Sequence, residues 1–154
     1  MLRVGDLGEA PVQVLVTWAS GLKEIGNCYF KKGEFKSAVM VYETVLDVIV
    51  SEFSMEEEMD NNITILVNSC FSNLSACELK LGNYDTVISL CSVILARDRN
   101  NTKSLYRRGQ AYARSGDVKS AMSDFEKALA LAPLDKAIKI EISSLHEKNQ
   151  RIPS

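Results

Sequence analysis

Residues 101–133, NTKSLYRRGQAYARSGDVKSAMSDFEKALALAP, form a unit that recurs along the chain, and the length of that recurrence limits the folds open to it. Its first half sets Leu105 and Tyr112, with the small residues Gly109, Ala111 and Ala113, at helical spacing over about residues 102–115. Gly116 follows as a left-handed stop, and Asp117 stands where a side-chain oxygen caps the opening amides of a second helix. That helix carries Val118, Ala121, Phe125, Ala128 and Leu129 on one stripe and ends at Pro133. One such hairpin cannot bury its apolar face alone, so neighbours of the same kind are expected at a fixed offset.

Those neighbours are present. Gly82 and Gly116 are 34 residues apart, and the same offset relates Phe71 to Leu105, Tyr84 to Val118, Val87 to Ala121, Cys91 to Phe125 and Ile94 to Ala128. An earlier copy matches at 49, pairing Leu22 with Phe71, Phe35 with Tyr84, Ala38 with Val87 and Tyr42 with Cys91. Its first helix is expected over about residues 14–32, with Trp18, Leu22, Ile25 and Tyr29 on one face and Gly33 closing it. Its second helix starts at Phe35 and turns Ala38, Tyr42, Val45, Leu46 and Ile49 inward.

Because 49 exceeds 34 by 15, an insertion of about 15 residues, near 53–67, separates copies one and two. It is expected to lengthen the helices on either side, with the acidic run Glu56, Glu57, Glu58 and Asp60 in the connection. After Pro133 one more helix, near 135–149, has Ala137, Ile138, Ile142 and Leu145 apolar and Lys and Glu opposite, which suits an end cap. Residues 1–12 have no clear period and read as a lead-in.

The composition agrees with an all-α fold, since 3 prolines and 8 glycines leave little material for the turns of a β architecture. A net charge of -2 argues against nucleic acid. Cys28, Cys70, Cys77 and Cys91 contain no CxxC pair, and the single histidine, His146, lies among charged residues in the end helix. The cysteines therefore read as small buried residues in a reducing compartment, with no zinc site and no cofactor expected. No apolar run reaches the length of a membrane span and the N-terminus lacks signal-peptide character, so a cytoplasmic protein is expected.

A helix-turn-helix repeating every 34 residues, with Leu22, Gly26, Tyr29, Ala38 and Tyr42 in one copy and Leu105, Gly109, Tyr112, Ala121, Phe125, Ala128 and Pro133 in another, resembles the tetratricopeptide repeat (TPR). Copy two departs from it, with Ser75 for the glycine, Glu78 for the tyrosine and Val87 for the alanine. The resemblance implies a TPR domain over about residues 13–150, with repeats at 19–52, 68–101 and 102–135. It also implies a right-handed superhelix whose first helices line a concave groove.

Polar residues on those first helices are the candidates for chemistry. Lys23 and Asn27 are four apart on one helix, as are Lys103 and Arg107 on another, and the 34-residue register aligns Asn73 with Arg107. Lys and Arg only donate and Asn can offer its NH2, so the complement of this set is an anion with several oxygens. A peptide ending in Asp, with side-chain and main-chain carboxylates side by side, would satisfy it.

The pattern resembles the dicarboxylate clamp of TPR co-chaperones, which bind the C-terminal EEVD of heat-shock protein 90 and heat-shock protein 70. That resemblance implies Lys23, Asn27 and Asn73 at the main-chain carboxylate, with Lys103 and Arg107 at side-chain carboxylates. Phe30 and Lys80 would flank the groove, although Phe30 serves equally as a core residue. The long connection after copy one and the LYRRG of copy three also resemble the TPR part of the FKBP-type and cyclophilin-type immunophilins, making the chain a non-catalytic piece of a larger isomerase one alternative. A scaffold for another anionic or folded partner is the other.

Overall fold

The structure, a computed structural model, describes residues 9–52 and 61–151. Among them the chain is all-α: α1 (Glu9–Lys31), α2 (Phe35–Glu52), α3 (Asn61–Leu81), α4 (Tyr84–Arg97), α5 (Thr102–Arg114), α6 (Val118–Leu131) and α7 (Lys136–Arg151). The acidic run Glu56 to Asp60 lies outside the described residues. None of the described helices is long and apolar enough to cross a membrane.

The turns follow from three glycines. Gly33, Gly82 and Gly116 have φ of +78°, +81° and +90°, a region that a side chain would strain. Beyond two of them the chain doubles back to satisfy the helix end: the Glu34 amide donates to the Tyr29 carbonyl and the Asp117 amide to the Tyr112 carbonyl, both at 2.9 Å. The next helices are opened by side chains. Asn101 Oδ1 accepts from the Ser104 amide at 2.9 Å, and Asp117 Oδ1 from the Ser120 amide at 3.1 Å.

The helices form two compact units, divided between Leu81 and Gly82. In the first, α1 packs on α2 and α3, and α2 on α3. Their core joins Leu15, Ala19, Val45, Ile49, Ile63, Leu66, Val67 and Cys70. The inserted segment's Ile63, Leu66 and Val67 are thus core residues, and α3 reaches 21 residues where α5 has 13. In the second unit α4 packs on α5, α5 on α6 and α6 on α7. Leu95, Leu105, Ala121, Phe125 and Ala128 close its core with Ile138 and Leu145 of α7.

Each unit contains one glycine that lets an aromatic ring approach a helix backbone. A Cβ on Gly26 would lie 2.7 Å from Cε1 of Tyr42, and one on Gly109 would lie 2.6 Å from Cε1 of Phe125. Both contacts are shorter than any side chain tolerates, so the ring sits where a methyl would otherwise stand. Copy two has Ser75 and Cys91 at these register positions, both buried.

Helix α1 differs from the sequence expectation in three ways. It begins at Glu9, ahead of the start expected near residue 14. Trp18 and Ile25 are 40% and 48% exposed, because Leu15 and Ala19, together with the partly buried Leu22, form the face toward α2 and α3. Cys28 is exposed, unlike Cys70, Cys77 and Cys91, since it falls on the side of α1 away from the core.

Candidate functional site

In the first unit two of the candidate donors, Asn27 and Asn73, meet at one amide. Asn27 on α1 receives two hydrogen bonds at Oδ1, one from Nδ2 of Asn73 on α3 at 3.2 Å and one from the hydroxyl of Tyr42 on α2. A carbonyl oxygen has two lone pairs, so this acceptor is saturated and the NH2 of Asn27 is turned the other way. There it makes a long contact of 3.5 Å to Oε1 of Glu24 on the exposed side of α1. Lys23, one turn before Asn27, extends toward α3, where Nζ donates to Ser69 Oγ at 3.3 Å. Asn27 with Asn73, and Lys23 with Ser69, thus each join α1 to α3.

Burial also governs the titration of the groups behind this cluster. It pushes the Tyr42 hydroxyl up to about 12, helped by Cys77, Cys70 and Glu24 and opposed by the Asn73 amide. It pushes the Cys70 thiol up to about 11, with the Lys23 ammonium pulling the other way. Both groups are neutral acids with pKa values raised by folding, so each loses its proton more readily in the unfolded chain. Their contribution is fully present below the ordinary thiol range near 9 and is lost as pH rises through about 11 and 12. Urea midpoints measured from pH 8 to pH 12 are expected to fall steadily above pH 9, and the Cys70→Ala chain to fall less over pH 9–11. Identical profiles for the two chains would show that Cys70 does not govern that part of the fall.

The second unit holds the other two candidates. Lys103 is exposed on the first turn of α5 and Arg107, one turn on, is half-buried and engaged by neighbouring groups. Of the flanking candidates, Phe30 packs edge-on against Phe35, with centroids 5.2 Å apart and planes at 67°. Lys80 is exposed on the last turn of α3.

Two participants are not apparent from the sequence. Tyr42 reads there only as a core residue, and its hydroxyl contact with Asn27 joins positions 15 apart on different helices. Arg108, beside Arg107, holds helices together. Its Nε and Nη2 grip both carboxylate oxygens of Asp124 on α6 at 2.8 Å, and Nη1 reaches Ser92 Oγ on α4 at 3.1 Å. The guanidinium also lies 5.9 Å from the centroid of the Tyr112 ring. Hydrogen bonding to Asp124 holds the Arg108 pKa above its ordinary value.

Residues 24–49 and 102–135 each match the tetratricopeptide repeat family. The C-terminal TPR-containing domain of a Plasmodium falciparum protein assigned to the FK506-binding proteins is 31% identical, with a TM-score of 0.77 over 88% of this chain and 91% of that one. The chain belongs to the tetratricopeptide repeat family. Mouse peptidyl-prolyl cis-trans isomerase FKBP4 is 34% identical to 84% of this TPR chain, which spans 28% of the mouse protein's length. The Caenorhabditis elegans myosin chaperone UNC-45, solved in complex with an Hsp90 peptide, is 25% identical, with a TM-score of 0.73 over 86% of this chain and 14% of that one.

Proposed function

We propose that this TPR chain is a peptide-binding module of the co-chaperone type, which takes the free C-terminus of an acidic peptide such as the EEVD tail of Hsp90 or Hsp70. The observation that carries the reading is the orientation of Asn27: its oxygen is saturated from behind, so it presents NH2, one helical turn from the donor-only Lys23, for a carboxylate. In this reading Asn73 joins them at the main-chain carboxylate. Lys103 and Arg107 serve side-chain carboxylates, an assignment supported by the repeat register. Phe30 and Lys80 flank the peptide. The UNC-45 complex with an Hsp90 peptide supports the choice of partner.

The module has no catalytic role of its own on this reading, and it works in the cytoplasm, where those chaperone tails are found. Its likeness to part of an isomerase about three times its length supports a place as the targeting segment of a larger immunophilin.

Calorimetric titration with an EEVD-ending peptide as free acid and as C-terminal amide tests the site. Amidation removes the charged acceptor facing Lys23 and Asn27, and the amide is expected to bind at least about tenfold more weakly, the worth of one charged hydrogen bond. Equal affinities would overturn the carboxylate reading in favour of a scaffold surface.

A further inference from the structure

We infer that Tyr42 is a positioning residue for ligand binding: its hydroxyl, together with Asn73 Nδ2, holds the Asn27 carbonyl oxygen from behind, so that NH2 and not the oxygen meets the ligand. The inference rests on the carboxylate reading above and extends it to a side chain behind the site.

The two ends of an amide are opposite in hydrogen-bonding character. An asparagine that rotates half a turn about its last bond would set an acceptor against a carboxylate and repel it. The Tyr42 hydroxyl and Asn73 Nδ2 both donate to Asn27 Oδ1, and they come from different helices, α2 and α3. Rotation would turn the Asn27 NH2 toward the Asn73 NH2, donor against donor, and the Tyr42 hydroxyl would have to give up its donated bond to Oδ1 and accept instead. Asn73 is itself a ligand candidate, which leaves Tyr42 as the member of the pair whose polar atom has no direct part in binding. It is 1% exposed.

The chain carries its own control for the hydroxyl. Phe125 stands at the same register position in copy three and packs on Gly109 as Tyr42 packs on Gly26, with a hypothetical Cβ at 2.6 Å in one case and 2.7 Å in the other. The ring alone satisfies that packing. In copy three the residue at the register of Asn27 is Gln110, which donates to Tyr106 OH at 3.2 Å and to Glu141 Oε1 at 3.0 Å, with no partner on α6. The hydroxyl therefore occurs in the copy whose amide bonds to it, while the Gln110 amide of copy three is held by Tyr106 and Glu141 instead. A buried hydroxyl is unfavourable unless it is hydrogen-bonded, and here its bond is to a ligand-binding group.

The test compares wild type, Tyr42→Phe, Asn27→Ala and the double variant, each titrated with the free-acid and amidated EEVD-ending peptides, with thermal unfolding recorded for all four. Tyr42→Phe keeps the ring on Gly26 and should stay folded, as Phe125 does in its own copy. It is expected to weaken the free-acid peptide about three- to tenfold, the range of one hydrogen bond. It should leave the amidated peptide unchanged and cause no further loss in the Asn27→Ala background. A general loosening of the fold would weaken both peptides alike, and that result overturns the inference, as does an unchanged free-acid affinity in a wild type that discriminates the two peptides. If wild type itself fails to discriminate them, the carboxylate reading falls and takes this inference with it.

Discussion

An Asp124→Ala chain is expected to unfold with a loss of about 3 kcal/mol, the lower end of the range for removing one member of a buried ion pair. The physical reason is that Arg108 stays behind. Its guanidinium is held by two bonds of 2.8 Å to Asp124, whose side chain is 7% exposed, and its own side chain is only 23% exposed. Without the carboxylate, a half-buried cation keeps one bond to Ser92 and a place near Tyr112, neither of which offsets its lost hydration. In a chain of this size that corresponds to a fall in Tm of roughly 10 °C. Replacing both partners, as Arg108→Leu with Asp124→Ala, is expected to recover most of the loss, because the charge is removed along with its partner. A single-variant loss below about 1 kcal/mol would mean that the pair is already well solvated and that α4, α5 and α6 are held by apolar packing alone.

A Lys103→Ala chain is expected to bind the free-acid EEVD-ending peptide about 10- to 100-fold more weakly, equivalent to about 1.5–3 kcal/mol for a charge-assisted hydrogen bond. The circular dichroism spectrum and thermal midpoint should not change, because Lys103 is exposed on the first turn of α5. The weakening should appear equally with the amidated peptide, since Lys103 is assigned to a side-chain carboxylate and not to the terminus. Raising the salt concentration should narrow the gap between wild type and variant, as exposed charges are screened within about 10 Å at 0.1 M. An unchanged affinity at low salt would remove Lys103 from the site and leave the Asn27 cluster to be judged alone.

The fold is legible in the sequence because its signals are redundant. Helix α5 and its stop at Gly116 are set by spacing, by a small-residue stripe and by a glycine that the structure places at φ +90°. Helix α1 is harder to read, because it has apolar residues on two adjacent faces. The large Trp18 and Ile25 suggest the inner face, while the contact with α2 and α3 is made by Leu15, Ala19 and Leu22 and by Gly26, where a methyl would collide with Tyr42. Close helix packing selects for what is missing from a side chain, and size alone points the wrong way.

The candidate donors are legible one by one, since register fixes which helix position each occupies. What register does not carry is the direction of an amide. The saturation of Asn27 Oδ1 needs donors from α2 and α3 at once, 15 and 46 residues away in the chain. Likewise Arg107 and Arg108 are adjacent and alike in type, and only the position of Asp124 on α6 shows that Arg108 is committed to structure.

The lengthened helices of the first unit have a consequence for how such a chain can vary. Its α2 has 18 residues against 14 in α4, and its α3 has 21 against 13 in α5. Added to a single helix between two fixed contacts, 15 residues at about 100° each would turn the far face by about 60° beyond whole turns. Divided between an outgoing and a returning helix, as with the 4 extra residues of α2 and the 8 of α3, an addition lengthens an excursion and leaves the contacts at its base in phase. The stripe Ile63, Leu66, Cys70, Leu74, Cys77 runs through α3 without a break in phase, joining new residues to old ones on one buried side. Length and register are therefore independent variables in this chain: the excursion can grow or shrink by matched turns while Asn27, Tyr42 and Asn73 keep their bearings.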